Sequence, residues 1–129
     1  MERREINPWE WSVPFGFHQG IEVTEAQRIL YCAGQTSIAA DGTVVGGDMD
    51  AQVRLSLENL EGVLAAAGMA FENVVRVTWY VTSIDEFRAS APVRTQILRG
   101  RMRAASTLVQ VAGLAYPELR VEITATAVA

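Results

Sequence analysis

The chain has 129 residues, half of them apolar, with a formal net charge of −4, which fits one domain spanning 1–129 whose core needs no covalent staples. The acidic balance, without a basic cluster and interleaved aromatics, argues against nucleic-acid binding, and no apolar run approaches the roughly 20 residues of a membrane span. Met1-Glu2-Arg3-Arg4-Glu5 has no apolar stretch behind it, so no signal peptide is expected, and the single cysteine, Cys32, rules out an internal disulfide and fits a cytoplasmic location.

The first 20 residues are rich in Trp, Pro and Gly and carry no sustained period. Ile21 to Val23 reads as a short strand, and Arg28 to Gly34 as a strand with Ile29, Tyr31 and Ala33 on one face. Asp41-Gly42 marks a tight turn. Asp48 then caps a long helix whose apolar stripe is Met49, Val53, Leu57, Leu60, Leu64 and Ala67, with Gly68 as its stop. Val74 to Val81 is a β-branched and aromatic strand. Ser83 and Glu86 have capping-box spacing. Pro92 bars one continuous helix, so a short turn near Ile84 to Arg88 and a helix from about Ser90 to Arg99-Gly100 are expected. Two strands close the chain, about Ala104 to Ala112 and Leu119 to Val128. In the last, Leu119, Val121, Ile123, Ala125 and Ala127 alternate with Arg120, Glu122, Thr124 and Thr126.

The order is β-β-α-β-α-β-β. An α+β fold with a mixed sheet and two helices on one face is the natural solution. The other face is left partly apolar, which implies association of subunits.

The basic residues add a chemical limit. All eleven are arginine. Without lysine there is no Schiff-base chemistry, no covalent pyridoxal phosphate and no Walker-type phosphate loop. With one histidine and one cysteine, no conventional metal cluster is visible. The expectation is therefore no cofactor and no metal.

Several segments, taken in order, resemble the YjgF/Rid family, the reactive intermediate deaminases. They are Gly16-Phe17-His18-Gln19-Gly20, Tyr31-Cys32-Ala33-Gly34-Gln35, Asp41-Gly42, Gln52 with Leu57-Glu58-Asn59-Leu60, Val74-Val75-Arg76-Val77-Thr78, and Ala112, Leu114 and Val121-Glu122-Ile123. The resemblance covers roughly Phe15 to Val128. It implies a chorismate-mutase-like fold, a homotrimer with pockets between subunits, and cofactor-free hydrolysis of imines and enamines to ketones and ammonia.

Against that pattern the chain departs at the polar positions. Ser106, in Ala104-Ala105-Ser106-Thr107, stands where the family has a carboxylate-clamping arginine, and a hydroxyl replaces neither its charge nor its planar fork. Phe17 stands for a tyrosine, Ala33 for a serine and Ala91 for an asparagine. Glu122 alone of the polar set is retained. The chain thus resembles an arginine-less branch, distinct from the 2-iminobutanoate deaminases.

Glu122 is the expected catalytic residue, positioning water or moving protons; its bland alternative is a strand glutamate paired with Arg120. Ser106, Thr107, Phe17, Ala33, Gly34 and Arg103 are the expected substrate-binding residues. Arg103, or Arg101 beside it, would replace the missing guanidinium unless both simply end a helix in water. His18 reads as a loop histidine bonded to backbone, or else as an acid–base group. Trp9 and Trp11 read as subunit packing, or as a wall for an aromatic substrate. The function that follows is hydrolysis of a small imine, enamine or related reactive metabolite in a homotrimer. The alternative is a trimer that binds a small molecule without chemistry, as sensor or scaffold. A ribonuclease reading is disfavoured by the acidity.

Overall fold

Asp48 starts the longest element by accepting from the Ala51 amide at 2.9 Å, one of the donors a helix start leaves unpaired. The computed structural model describes all 129 residues. In chain order its elements are β1 (Glu2–Ile6), β2 (Gly20–Thr24), β3 (Ile29–Gln35), α1 (Met49–Ala66), β4 (Val74–Val81), α2 (Ile84–Ala89), α3 (Ala91–Leu98), β5 (Ala105–Gln110) and β6 (Val121–Val128). The architecture is α+β, as expected, with two refinements: a strand precedes the expected order, and the second helical region is two short helices.

Four strands form a mixed sheet in the order β3-β6-β4-β5. Only β4 and β5 are parallel, and α2 and α3 make the crossover that a parallel pair requires. Register defines the two faces, because directly paired residues share one. Cys32, Ala125, Val77 and Ser106 form one row across the sheet. Ile123, Trp79 and Leu108 form another on the same side. That side meets Val53, Leu57, Leu60 and Leu64 of α1 and Phe87 of α2 in one core. Each fully buried leucine there contributes on the order of 1.5–3 kcal/mol relative to exposure.

The opposite face carries Tyr31, Arg76, Thr78, Thr107, Glu122, Thr124 and Thr126. Nothing in the chain covers it. Tyr31 is 76% exposed and Ile29 57%.

β1 was not legible in the sequence because four of its five residues are charged. It pairs antiparallel with β2. Its charges hold it there: Arg4 Nε and Nη2 donate to the two Glu22 carboxylate oxygens at 3.1 Å, and Arg3 donates to the carbonyls of Glu72, Val74 and Arg103. The hairpin docks beside the start of β5, where the His18 amide donates to the Ala104 carbonyl at 3.1 Å.

Ser83 caps α2, its Oγ accepting from the Glu86 amide at 3.2 Å. The reciprocal half of the expected capping box is not made. The Glu86 carboxylate instead accepts from Arg120 Nη1 at 2.8 and 3.0 Å, because a charged partner outbids a backbone amide.

Candidate functional site

Glu122 sits in mid-β6 opposite Tyr80 of β4. Its neighbour Arg120 is taken by Glu86 at 2.8 Å, so the paired-glutamate alternative does not hold. Glu122 has neither an ion-pair nor a hydrogen-bond partner in the chain, and it is half-buried.

The reason it lies where it does is a bulge in β3. Cys32 pairs with Ala125 but Gln35 pairs with Ile123, so three steps on β3 face two on β6. The additional residue falls at Ala33-Gly34, and bulges of this kind re-aim side chains beside sites. Gly34 has no Cβ, and the carboxylate fills that space: a Cβ built on Gly34 would lie 2.5 Å from Glu122 Cδ and 2.8 Å from Oε1. A side chain at 34 would therefore displace the Glu122 carboxylate, the flexible end of a long side chain. Gly34 also opens onto a groove of about 500 Å3 walled by Gln35, Thr36, Ile38, Asn59 and Val63. Asn59 fixes that wall by donating to the Thr36 and Ile38 carbonyls, both at 2.9 Å. Glu122 does not line this groove and meets it only through its contact with Gly34.

The remaining expected residues lie elsewhere. Ser106 pairs with buried Val77 and so lies on the helix-covered face, opposite to Glu122. Thr107 pairs with Thr78, which pairs with Thr124, and so shares Glu122's face. β5 is separated from β6 by β4, about 10 Å at ordinary strand spacing. Phe17 stands beside the start of β5 through the parallel bridge of His18 with Ala105. Arg103 leads into that strand, and its half-buried guanidinium has no partner in the chain. Arg101 is engaged by Glu61 at 3.3 Å and Glu72 at 3.8 Å and lies over the Phe71 ring, which removes it as a replacement clamp.

Within one chain, then, Ala33, Gly34 and Glu122 lie together on β3 and β6, whereas Phe17 and Arg103 lie near the start of β5, with Ser106 and Thr107 on opposite faces of that strand.

Of the other candidates, His18 is buried in a fixed setting. Asn7 Oδ1 accepts from the Gln19 amide at 3.0 Å, so Asn7 Nδ2 donates to His18 Nδ1 at 2.9 Å. The imidazole proton is thereby assigned to Nε2. Nε2 lies 3.1 Å from Glu5 Oε1, but off the line of a good hydrogen bond. One nitrogen faces Glu5 of β1 and the other Asn7 just beyond it, so this histidine braces the hairpin. Trp11 meets Phe17 edge-on at 5.7 Å, and Trp9, Trp11 and Phe15 are all exposed. Burial pushes the Cys32 thiol up from its ordinary pKa, which keeps it protonated and unreactive at neutral pH.

The structural roles of two polar residues were not read from the sequence. Gln52 is fully buried on α1. It donates to the Gly47 and Glu118 carbonyls at 3.0 and 2.9 Å and accepts from the Arg120 amide at 2.8 Å, pinning the entry to β6 two residues before Glu122. Its signal was a polar residue adjoining Val53 on the apolar stripe. Arg94 of α3 is half-buried over aromatic rings, and desolvation lowers its pKa to about 10, partly offset by the charge of Asp50. It stays charged at neutral pH.

Residues 16–129 match the family model described as Endoribonuclease L-PSP. Among curated relatives, the mitochondrial protein mmf2 of Schizosaccharomyces pombe is 38% identical over 108 residues, 84% of this chain and 82% of its own length. The crystal structure of YyfB from Yersinia pestis, a Rid-family protein of unknown function, covers 100% of both chains with a TM-score of 0.86 and 40% identity. TdcF of Escherichia coli, provisionally named a reactive intermediate deaminase, has a crystal structure with bound serine. It matches with a TM-score of 0.71 at 25% identity over 96% of this chain and 90% of its own. The fold is thus shared with these relatives, and the chain belongs to the YjgF/Rid family, that of the Endoribonuclease L-PSP model.

Proposed function

We propose that this protein is a cofactor-free hydrolase of the deaminase type, acting on a small imine, enamine or related reactive metabolite in a pocket shared between subunits. The observation that carries the reading is the Glu122 carboxylate. It is free of any partner, folded into the space that Gly34 leaves, and flanked by an Arg120 already engaged by Glu86.

The chemistry needs one carboxylate. Water adds to the carbon of a C=N bond while Glu122 takes its proton and returns it to nitrogen. The resulting carbinolamine loses ammonia as its hydroxyl proton departs, leaving a ketone, so one water is consumed and one ammonia released. A positioned acid or base contributes typically 10²–10⁴-fold to such steps.

The placement of these residues supports a pocket built from two chains. Within one chain Glu122 on β6 and the residues of β5 are separated by β4. Head-to-tail association brings one edge to the other, and a ring of three closes such a contact. Ser106, Thr107, Phe17 and Arg103 of one subunit would then face Ala33, Gly34 and Glu122 of the next. The cytoplasmic reading rests on the lone reduced cysteine; relatives named mitochondrial mean that membership of the family does not fix a compartment. No helix is long and apolar enough to cross a membrane.

The test supplies imines made in situ by an amino-acid oxidase from a panel of amino acids, following imine decay and ketone formation. Acceleration by the wild type and its loss in Glu122→Gln support the reading. A second reading, a trimer that binds a metabolite without turnover, is favoured by the apolar Phe17, Ala33 and Ala91. It prevails if ligands bind but no imine is hydrolysed.

A further inference from the structure

The open face of the sheet holds a second polar group, apart from Glu122. A hollow of about 120 Å3 opens there, walled by Arg76, Thr78, Thr124 and Thr126, with Tyr31 on its far side. Register places them. Tyr31, Thr126 and Arg76 make one row across β3, β6 and β4, and Thr124 and Thr78 make the next. Tyr31 and Arg76 thus stand about 10 Å apart at ordinary strand spacing, with Thr126 between them as floor. A bulge aims the arginine. Val74 pairs with Ala127 and Arg76 with Thr126, so two steps on β4 face one on β6, and the additional residue is Val75. Bulges of this kind re-aim side chains beside sites. On its other flank Arg76 pairs with Ala105, whose methyl group is too short to cover a guanidinium.

None of the four walls has a partner. Arg76 makes no ion pair and no hydrogen bond in the chain, and neither do the hydroxyls of Thr78, Thr124 and Thr126. Thr78 is only 7% exposed, yet its hydroxyl is not among the polar atoms sealed from solvent, so the part of it left open is turned to the hollow. No carboxylate lines that hollow. Glu122 stands four residues along β6 from Thr126, about 13 Å of strand, beyond the roughly 8 Å over which exposed charges stay coupled in physiological salt. One cation and three hydroxyls around so small a volume are a donor set for an anion with an acceptor in each direction. A tetrahedral oxyanion has that form, and a charged partner strengthens each bond it accepts.

We infer that Arg76, Thr78, Thr124 and Thr126 form a binding site for a small tetrahedral oxyanion, of the phosphate or sulfate type, separate from the Glu122 centre. The site has a consequence for assembly, which rests on the reading that a neighbouring subunit covers this face. Covering the face takes Arg76 out of water, and a buried charge without a partner is strongly unfavourable. The chain places no acid beside it. A bound oxyanion supplies the missing charge. It therefore binds the assembled form in preference to the single chain and draws the equilibrium toward assembly.

The test uses the intact protein and inorganic phosphate, with sulfate as a second oxyanion and chloride at equal ionic strength as control. Threonine methyl NMR signals are assigned by their loss in Thr78→Val, Thr124→Val and Thr126→Val. Phosphate and sulfate are expected to move all three to saturation, and chloride none. Arg76→Gln should weaken binding at least about tenfold, and Thr78→Val, which keeps the shape, roughly twofold to tenfold. Glu122→Gln should bind phosphate as the wild type does. In sedimentation, phosphate should strengthen association of the wild type over chloride and leave that of Arg76→Gln unchanged. Shifts that chloride reproduces, or that Arg76→Gln and Thr78→Val both retain, overturn the site. Loss of phosphate binding in Glu122→Gln would place the anion at the imine centre and overturn it too. If no signal moves up to tens of millimolar phosphate, a group of the neighbour meets Arg76 and the inference falls. Binding with equal association in both salts overturns the link to assembly alone. Failure to hydrolyse any imine alters none of these readouts.

Discussion

Glu122 and Gly34 lie in close approach, and single substitutions separate the carboxylate's charge from its placement. Glu122→Gln keeps the shape and removes the base; turnover on a proven imine should fall roughly 100- to 10,000-fold, with ligand affinity little changed. Gly34→Ala leaves the charge and displaces it, because the new Cβ would lie 2.5 Å from Glu122 Cδ. A misplacement of about 1 Å costs on the order of 100-fold, so kcat should drop while the melting temperature moves little. If Gly34→Ala is fully active, the close approach has no catalytic meaning. Ser106 makes the third residue-level case. Losing a bidentate arginine contact costs about 2–4 kcal/mol, or roughly 30- to 1,000-fold in kcat/KM, so 2-iminobutanoate and 2-aminoacrylate should be poor substrates. A coupled assay against an arginine-containing relative checks this, and equal turnover would contradict it. The sequence identified the alternation that isolates Glu122. It could not show Gly34 beneath it, because a bulge is a property of two paired strands and only one was in view.

Elements were legible where burial imposes a period and illegible where charges do the pairing. The α1 stripe and β6 follow their expected faces because each buries one side. β1 escaped because Glu2, Arg3, Arg4 and Glu5 have no apolar rhythm; their partners, Glu22 and the carbonyls of Glu72, Val74 and Arg103, lie far along the chain. The same long reach explains Gln52, whose bonds to Glu118 and Arg120 join α1 to the entry of β6. Gln52→Ala leaves a buried carbonyl pair and an amide unsatisfied, at about 1–3 kcal/mol for each uncompensated group. Denaturant melts should show a loss of roughly 2–4 kcal/mol, the range for breaking a buried network. Turnover should fall in the surviving folded fraction too, because Glu122 lies two residues beyond Arg120. A Gln52→Ala protein as stable as the wild type would mean that water replaces the side chain at no cost.

At the scale of the whole molecule, the sheet's open face and divided site make one demand. The sequence indicated it through strands apolar on both sides. Tyr31 and Ile29 stand exposed on β3, and the residues expected to bind substrate divide between β3 and β6 on one side and the β5 edge on the other. A single chain leaves Glu122 without a facing wall. The expected particle is a homotrimer, three times 14.1 kDa, by sedimentation or light scattering at micromolar concentration. Tyr31→Glu tests what holds it together. A carboxylate on that face would be buried unpaired by association, a penalty of several kcal/mol per interface, whereas in an isolated chain it would remain in water. The variant should therefore fold with an unchanged far-UV spectrum, sediment as a monomer and lose activity in proportion to the trimer lost. A Tyr31→Glu trimer of normal activity would move the interface off this face. A wild-type monomer that still hydrolyses imines would show that one chain's Glu122 works without a neighbour's Ser106.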